Sequence, residues 1–522
     1  MRSSTRPSRR RSGLPVRLAA AAVAVALVGS LGAARRAAAQ PPTLVIAQGA
    51  DITTLDPTQA TQIHNLNLFY NLYDALVTWD SKDIGKVVPE LAVSWRSLNP
   101  TTWQFKLRQG VKFHNGEPFN AEAAKFTIDR LITKGVHQVY GGFATIERAE
   151  VVDPYTINVV TAKPDPILVK RFAGYGGQML PPRYLKQVDW KEFALKPVGT
   201  GPYRFVEWIK DDRVVLEANP DYWRGVPRIK RVVWRPIPDN FARVAALVRG
   251  EAQLITKVIP DHVPEIERAG CCRVEHTLTN LVTVYLINAQ KGPLANAKVR
   301  QALNYAVDKD KIIKELYKGY AIPIGSGIPN TDFGYNPAIK PYPYDPARAR
   351  KLLAEAGYAS GVDIDIQSGN GIHLNDRQLT EAVAAMLADV GVRARVGVLE
   401  PAQRSQLLRT NTFPGLLLAD PASTTYDTDG VLWRLHGPGG IVHKIWPGNY
   451  EGTRFYQLME EARYSTDPEK RLRNYHEAAQ IWHDEAVELF LFQGELIDAV
   501  RNEVVYRARG DQRILVNEIS FR

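Results

Sequence analysis

Residues able to do chemistry are few and scattered in this chain of 522 residues. Its two cysteines are neighbours, Cys271 and Cys272. Adjacent Cα atoms lie about 3.8 Å apart, below the usual disulfide range, so a bridge between them would be strained. Bridge and free thiols both stay open, and no redox role is expected. His436 and His443 share a glycine-rich loop and could touch a metal, but they lack a carboxylate partner, and structural or solvated roles compete. No metal is expected. Gly199-Thr-Gly201 resembles the start of a phosphate loop, yet Arg204 stands where a dinucleotide fingerprint needs glycine. The segment reads instead as a tight turn whose backbone excludes bulkier residues, and no cofactor is expected. The sequence has neither a Gly-x-Ser-x-Gly elbow nor a His-Glu-x-x-His helix, which counts against a secreted hydrolase. What remains is recognition chemistry. Tyr426, Trp433 and Trp446 could stack on a side chain or a sugar face, with ordinary packing as the competing role. Asp420 ends the apolar run Gly415-Leu-Leu-Leu-Ala and precedes Pro421, where capping a turn is an equally good use for it.

The elements that must position these residues are legible from period and punctuation. Thr43 to Gln48 is a short apolar run stopped by Gly49, which predicts a buried strand. Across 102–113, Trp103, Phe105 and Leu107 alternate with polar residues, which predicts a second strand. A helix capped by Asn120 carries Ala124, Ile128, Leu131 and Ile132 inward. Asp345-Pro346 and Asp467-Pro468 each supply a cap with proline at the first helical position. The first leads Leu352, Leu353 and Ala356 to a stop at Gly357; the second leads Leu472, Tyr475, Ala479 and Trp482. A longer helix through Leu379, Val383, Met386, Leu387 and Val390 stops at Gly391, and Val392, Ala394, Val396 and Val398 then alternate as a strand. Repeated helix-then-strand order predicts α/β construction. There is no internal repeat and no low-complexity linker.

Residues 1–39 read as a secretory signal peptide. Arg2, Arg6, Arg9, Arg10, Arg11 and Arg17 precede the apolar run Leu18 to Leu31, and Ala37-Ala38-Ala39 supplies small residues for cleavage. The run is too short to span a bilayer comfortably, and no later stretch approaches the length of a span. No cysteine lies near the leader, so a lipoprotein anchor is excluded; Sec and twin-arginine export both stay open. The leader holds eight Arg and no Asp, Glu or Lys, so the formal charge of +11 drops to +3 once it is removed. That small surplus gives no electrostatic case for nucleic acid.

Five blocks now fall into a familiar order. They are Pro89-Glu-Leu-Ala-Val-Ser-Trp95 with Trp103 to Gly116 and Pro118-Phe-Asn-Ala-Glu122; Gly199-Thr-Gly-Pro-Tyr203; Asn219-Pro-Asp-Tyr-Trp223; Val299-Arg-Gln-Ala-Leu-Asn-Tyr-Ala306 with Asp308-Lys309; and Tyr344 to Leu353 with Ala356-Gly-Tyr358. From about Leu44 to the C-terminus the chain resembles the family 5 extracellular solute-binding proteins, the oligopeptide, dipeptide and nickel binders of ABC importers. The resemblance implies a periplasmic-binding-protein-like α/β fold of type II, with hinged lobes in the three-domain variant. Domain I would comprise 40–75, 197–275 and 495–522, domain II 76–196, and domain III 276–494. It further implies a periplasmic, monomeric protein that captures a small solute, a peptide above all, and delivers it to the importer's membrane permease. Opines, glycosides and metal chelates are alternatives on the same fold, as is a ligand-presenting sensor role.

The resemblance also assigns residues. Peptide binders of this family hold the ligand ammonium with an Asp ending an apolar strand of the third domain, which maps onto Asp420. Thr424 to Trp433 resembles the family's acidic segment beside the cleft, bringing Tyr426 and Trp433, with Trp446, toward a ligand. The loop holding Asp51 would face the cleft from domain I. Dipeptide binders clamp the ligand carboxylate with an Arg in the loop that here reads Ser368-Gly-Asn-Gly-Ile-His-Leu-Asn375. The loop has no Arg, and neither His373 within it nor Arg377 just inside the following helix matches the position, which counts against a dipeptide-specific clamp and leaves His373 as a ligand-binding candidate.

Overall fold

A computed structural model describes residues 43–135, 140–370, 373–446 and 452–522. The proposed leader, residues 1–39, lies outside the described residues.

One large mixed sheet organises the molecule. From one edge its strands are Val392–Leu399, Val362–Gly369, Leu416–Ala419, Cys272–Ile287, Glu488–Arg501, Leu254–Ile255, Thr43–Gln48, Arg231–Pro236, Arg213–Ala218 and Tyr203–Ile209, and Ala321–Pro323 also pairs with Glu488–Arg501. The two longest strands, Cys272–Ile287 and Glu488–Arg501, run antiparallel through the middle. Their register is regular from Cys272↔Arg501 to Leu278↔Glu495, breaks, resumes at Val282↔Gln493, and slips once more between Thr283↔Phe492 and Val284↔Phe490. The longer interruption, between Leu278 and Val282, divides the pairing of these strands, and a break in the ladder is where a sheet bends most easily. At that point the Thr279 hydroxyl donates to the Gly494 carbonyl (2.9 Å), and Gln493 Nε2 donates to the Thr279 carbonyl and to Asn330 Oδ1.

On either side the strands have parallel partners. Thr43–Gln48 runs parallel to both Arg231–Pro236 and Leu254–Ile255. In the other half, Val362–Gly369 runs parallel to both Val392–Leu399 and Leu416–Ala419. Strands covered on both faces read as continuous apolar runs. In Leu416–Ala419, Leu417 enters one core with Val284 and Phe490, while Leu416 and Leu418 enter the other with Tyr285 and Leu491. A separate sheet, Ala92–Asn99, Thr102–Leu107, Thr156–Thr161 and Ile146–Asp153, has its own core with helix Ala121–Leu131.

Capping chemistry acts as expected. Asn120, Asp345 and Asp467 each accept backbone N–H groups in the first turn of their helices. Three expectations are corrected. The strand expected over 102–113 ends at Leu107, before Gly110 turns at φ 78°. Val396 and Val398 are exposed, because Val392–Leu399 is the outermost strand of the sheet. Leu472 is exposed too, because Arg471 takes the inward position to reach the buried Asp427 carboxylate (2.8 Å). Among the described residues, no helix is long and apolar enough to cross a membrane.

Candidate functional site

The carboxyl ends of the two sets of parallel strands carry the polar loops of the molecule. Ligand crevices in open α/β sheets form outside the carboxyl ends of strands, where successive connections diverge and backbone groups are left free. Past Thr43–Gln48 and Leu254–Ile255 come Asp51 and Lys257; past Val362–Gly369, Val392–Leu399 and Leu416–Ala419 come His373, Arg404 and Asp420.

Asp420 and His373 meet: His373 Nδ1 lies 2.8 Å from Asp420 Oδ2. Burial alone would raise the Asp420 pKa, but the charge and hydrogen bond of His373, with the charge of Arg404, outweigh it and hold the carboxyl below its usual value. Asp420 is an anion here. Its Oδ1 is buried without a partner, as are His373 Nε2, the neighbouring Ser368 hydroxyl and Arg404 Nε. Buried polar atoms are nearly always satisfied, so this group of unpartnered atoms sets the surroundings of Asp420 apart from ordinary packing. Arg404 reaches in from helix Pro401–Thr410 and donates through Nη2 to the Leu418 carbonyl (3.2 Å). Burial lowers its pKa, and Asp420 offsets this.

Lys257 faces the same carboxylate from the other half of the sheet. Burial is the first influence on its pKa and pushes it down, against the fields of Asp420 and Asp498. Its side chain nevertheless remains solvent-accessible, and its ammonium has no hydrogen-bond or ion-pair partner among the described residues. Lys257 thus stands within reach of the Asp420 charge while its side chain stays open to solvent. His64 stands nearby, its pKa lowered first by burial and then by Lys257.

The other expected residues are placed as follows. Asp51 accepts from the Trp208 indole (3.1 Å), from the Asp211 N–H (2.8 Å) and from the Ile52 N–H (2.8 Å), so its carboxylate braces a loop at the strand end. Tyr426 is buried edge-on against Trp79, with ring centroids 5.0 Å apart, and its hydroxyl is unpartnered. Trp433 stacks with Tyr456 and lies under the Arg463 guanidinium. Trp446 is buried against Phe455, with centroids 4.6 Å apart. Each indole therefore has one aromatic ring of the protein stacked on it. His436 is enclosed by Trp446, Phe455 and Trp482, and burial lowers its pKa to about 3. Cys271 and Cys272 are free thiols. A second charged group surrounds the acidic segment: Arg171 binds Asp165 and Asp429, Arg463 binds Asp429, and Arg471 binds Asp427. Neither Arg404 nor Lys257 stood out in the sequence, because a lysine after a short strand and an arginine within a polar helix look like surface residues. Their position at strand ends was the available signal.

Comparison with known proteins agrees with this geometry. The sequence profile of the bacterial extracellular solute-binding proteins, family 5 (Middle), matches residues 86–442. A glutathione-binding protein, GsiB, from Pectobacterium atrosepticum is 33% identical over 92% of this chain and 93% of its own. Two solved structures superimpose over 92% of the chain. One is a periplasmic binding protein, DppA, associated with an ABC transporter of Helicobacter pylori and bound to the peptide STSA (27% identity, 98% of that chain, TM-score 0.79). The other is NikA from Brucella suis bound to Fe(III)-EDTA (25% identity, 100% of that chain, TM-score 0.84). An ordered match along this length, together with polar loops gathered at opposed strand ends, makes the chain a member of the family 5 bacterial extracellular solute-binding proteins.

Proposed function

We propose that the protein captures a short peptide or peptide-like solute between two halves that close on it, and hands it to the membrane permease of an ABC importer. The orphaned polar atoms around Asp420 carry this reading. A closing cleft strips water from its guest, so each charge on the guest needs a partner inside. Asp420 supplies an anion for a ligand ammonium, and His373 holds that anion in place. Glutathione, the solute in the name of the relative from P. atrosepticum, is a candidate ligand of the same kind.

The lobes follow the division 40–75, 197–275 and 495–522; 76–196; and 276–494. The interruption between Leu278 and Val282 in the central ladder supports a hinge there. The site is for binding, with no chemical step. The protein works as a periplasmic monomer, exported by a cleaved leader. A ligand drives closure only by as much as it prefers the closed form, and reversing a 1:99 balance takes about 5.5 kcal/mol.

Small-angle scattering during titration with glutathione and with short peptides tests the trap. A bound ligand should reduce the radius of gyration. Binding with unchanged dimensions, or release of a chemically altered ligand, refutes it. Native mass spectrometry of the exported protein weighs whatever co-purifies, separating peptides from chelates.

A further inference from the structure

The charges that look onto the cleft do not cancel. Asp420 is the anion at its centre, with His373 already on one of its oxygens (2.8 Å), and two further cations act on it: Arg404 from its own half, where it is anchored on the Leu418 carbonyl (3.2 Å), and Lys257 from the opposite half. The remaining acids near Lys257 are occupied. Asp51 accepts from Trp208 and two backbone N–H groups, and Asp498 accepts from the Tyr506 hydroxyl (2.6 Å). Burial keeps His64 toward its neutral form.

Lys257 is also held in a conformation that the chain would not choose by itself. Its φ is 53°, in the left-handed region where a Cβ crowds the backbone. Two buried charged side chains fasten it there. Its N–H donates to Asp498 Oδ1 (3.1 Å), and its carbonyl accepts from Arg243 Nη2 (3.3 Å). Arg243 is itself anchored on the Ile237 and Pro238 carbonyls. Backbone strain of this kind persists where the surroundings over-determine it, and it gathers at ligand clamps. The outcome is an ammonium projecting into the cleft with no partner of its own among the described residues.

We infer that Lys257 and Arg404, from opposite halves of the cleft, receive anionic groups of the guest while the free oxygen of Asp420 receives its ammonium, so that the preferred ligands are acidic peptides with more carboxylates than ammonium groups. A guest with one ammonium and two carboxylates leaves no charge in the closed cleft unpaired, whereas a neutral peptide strands one cation there, which is costly. Lys257 is thus a specificity-determining residue. It reaches the ligand only when the halves approach, so the acidic group also rewards closure. The inference rests on the cleft being the peptide site.

The test is calorimetric titration with alanine tripeptides carrying Glu or Gln at each position in turn, against the wild-type chain and the variants Lys257→Gln, Lys257→Arg and Arg404→Gln. Wild type should bind at least one Glu peptide tenfold or more tighter than its Gln counterpart. Lys257→Gln should bring that ratio close to one by weakening the acidic peptide alone, and Lys257→Arg should restore it. Arg404→Gln should reduce the ratio from the other side. Equal binding of acid and amide by wild type, or an unchanged ratio in Lys257→Gln, overturns the inference. Gln peptides that bind and compact the protein while the ratio stays at one remove this inference and leave the peptide reading standing. No binding by any peptide removes both.

Discussion

At the scale of single residues, Glu488 is a carboxyl buried away from the site around Asp420. It is fully buried, neither carboxyl oxygen has a hydrogen-bond partner among the described residues, and His436 Nε2 lies 3.9 Å from Oε1. Burial holds the Glu488 pKa well above its usual value, so the folded protein keeps a proton that the unfolded chain releases at about pH 4.3. Above that pH the fold binds more protons than the unfolded state, and stability falls as pH rises toward the folded pKa. His436 acts in the opposite direction: with a folded pKa of about 3, it stays neutral where the unfolded chain binds a proton, so it costs stability as pH falls below about 6.5. Glu488→Gln keeps the shape and removes the ionisation. It should raise the melting temperature at pH 8 by roughly 2 °C or more, with a smaller gain at pH 5. Thermal unfolding at the two pH values checks this, and an equal shift at both would mean that Glu488 is not held protonated.

At the scale of elements, Gly199-Thr-Gly201 shows why a turn motif can be strict without touching a ligand. Neither glycine has positive φ. The constraint is contact: a Cβ on Gly199 would lie 2.0 Å from the Leu72 carbonyl oxygen, and one on Gly201 would lie 2.5 Å from the Leu72 carbonyl carbon. The turn lies against the end of helix Ile63–Leu72, and the Gly201 N–H donates to the Leu72 carbonyl (3.0 Å). Gly199→Ala must push the two segments apart. Denaturant unfolding should show a loss of about 1–3 kcal/mol, the usual cost of overpacking, with ligand affinity per folded molecule little changed. The excluded-bulk reading of this turn was available from the sequence; the identity of its partner, 127 residues upstream, was not.

At the scale of the whole molecule, the buried ion cluster around Asp429 joins segments that the proposed lobes separate. Arg171 binds Asp165 (2.7 Å) and Asp429 (3.0 Å), while Lys170 donates to the Tyr426 carbonyl (2.9 Å). Removing one partner of a buried pair leaves an uncompensated charge, at a cost of about 3–5 kcal/mol. In an open form water would reach these carboxylates, so the cost would fall on the closed form. Arg171→Met should therefore weaken ligand binding tenfold or more, about 1.4 kcal/mol for each factor of ten, and enlarge the ligand-free radius of gyration. Scattering and calorimetry on the same variant check both. Unchanged dimensions together with wild-type affinity would mean that the cluster holds one rigid unit and plays no part in closure.

Local chemistry and family were written in the sequence: the caps at Asn120, Asp345 and Asp467, the period of the helices they open, the apolar strand ending at Asp420, and the ordered blocks that mark family 5. These depend on neighbours within a turn or a strand, so spacing along the chain encodes them. Which side chains face one another across the cleft, and which merely pack, was decided by tertiary structure. Trp433 stacks on Tyr456 and Trp446 on Phe455, contacts that no local spacing announces. Lys257 and Arg404 had no local signature, yet the sheet order turns both toward Asp420. A charge acquires its role from the partner it lacks, and that partner is defined only once distant strand ends share one space from which water can be expelled.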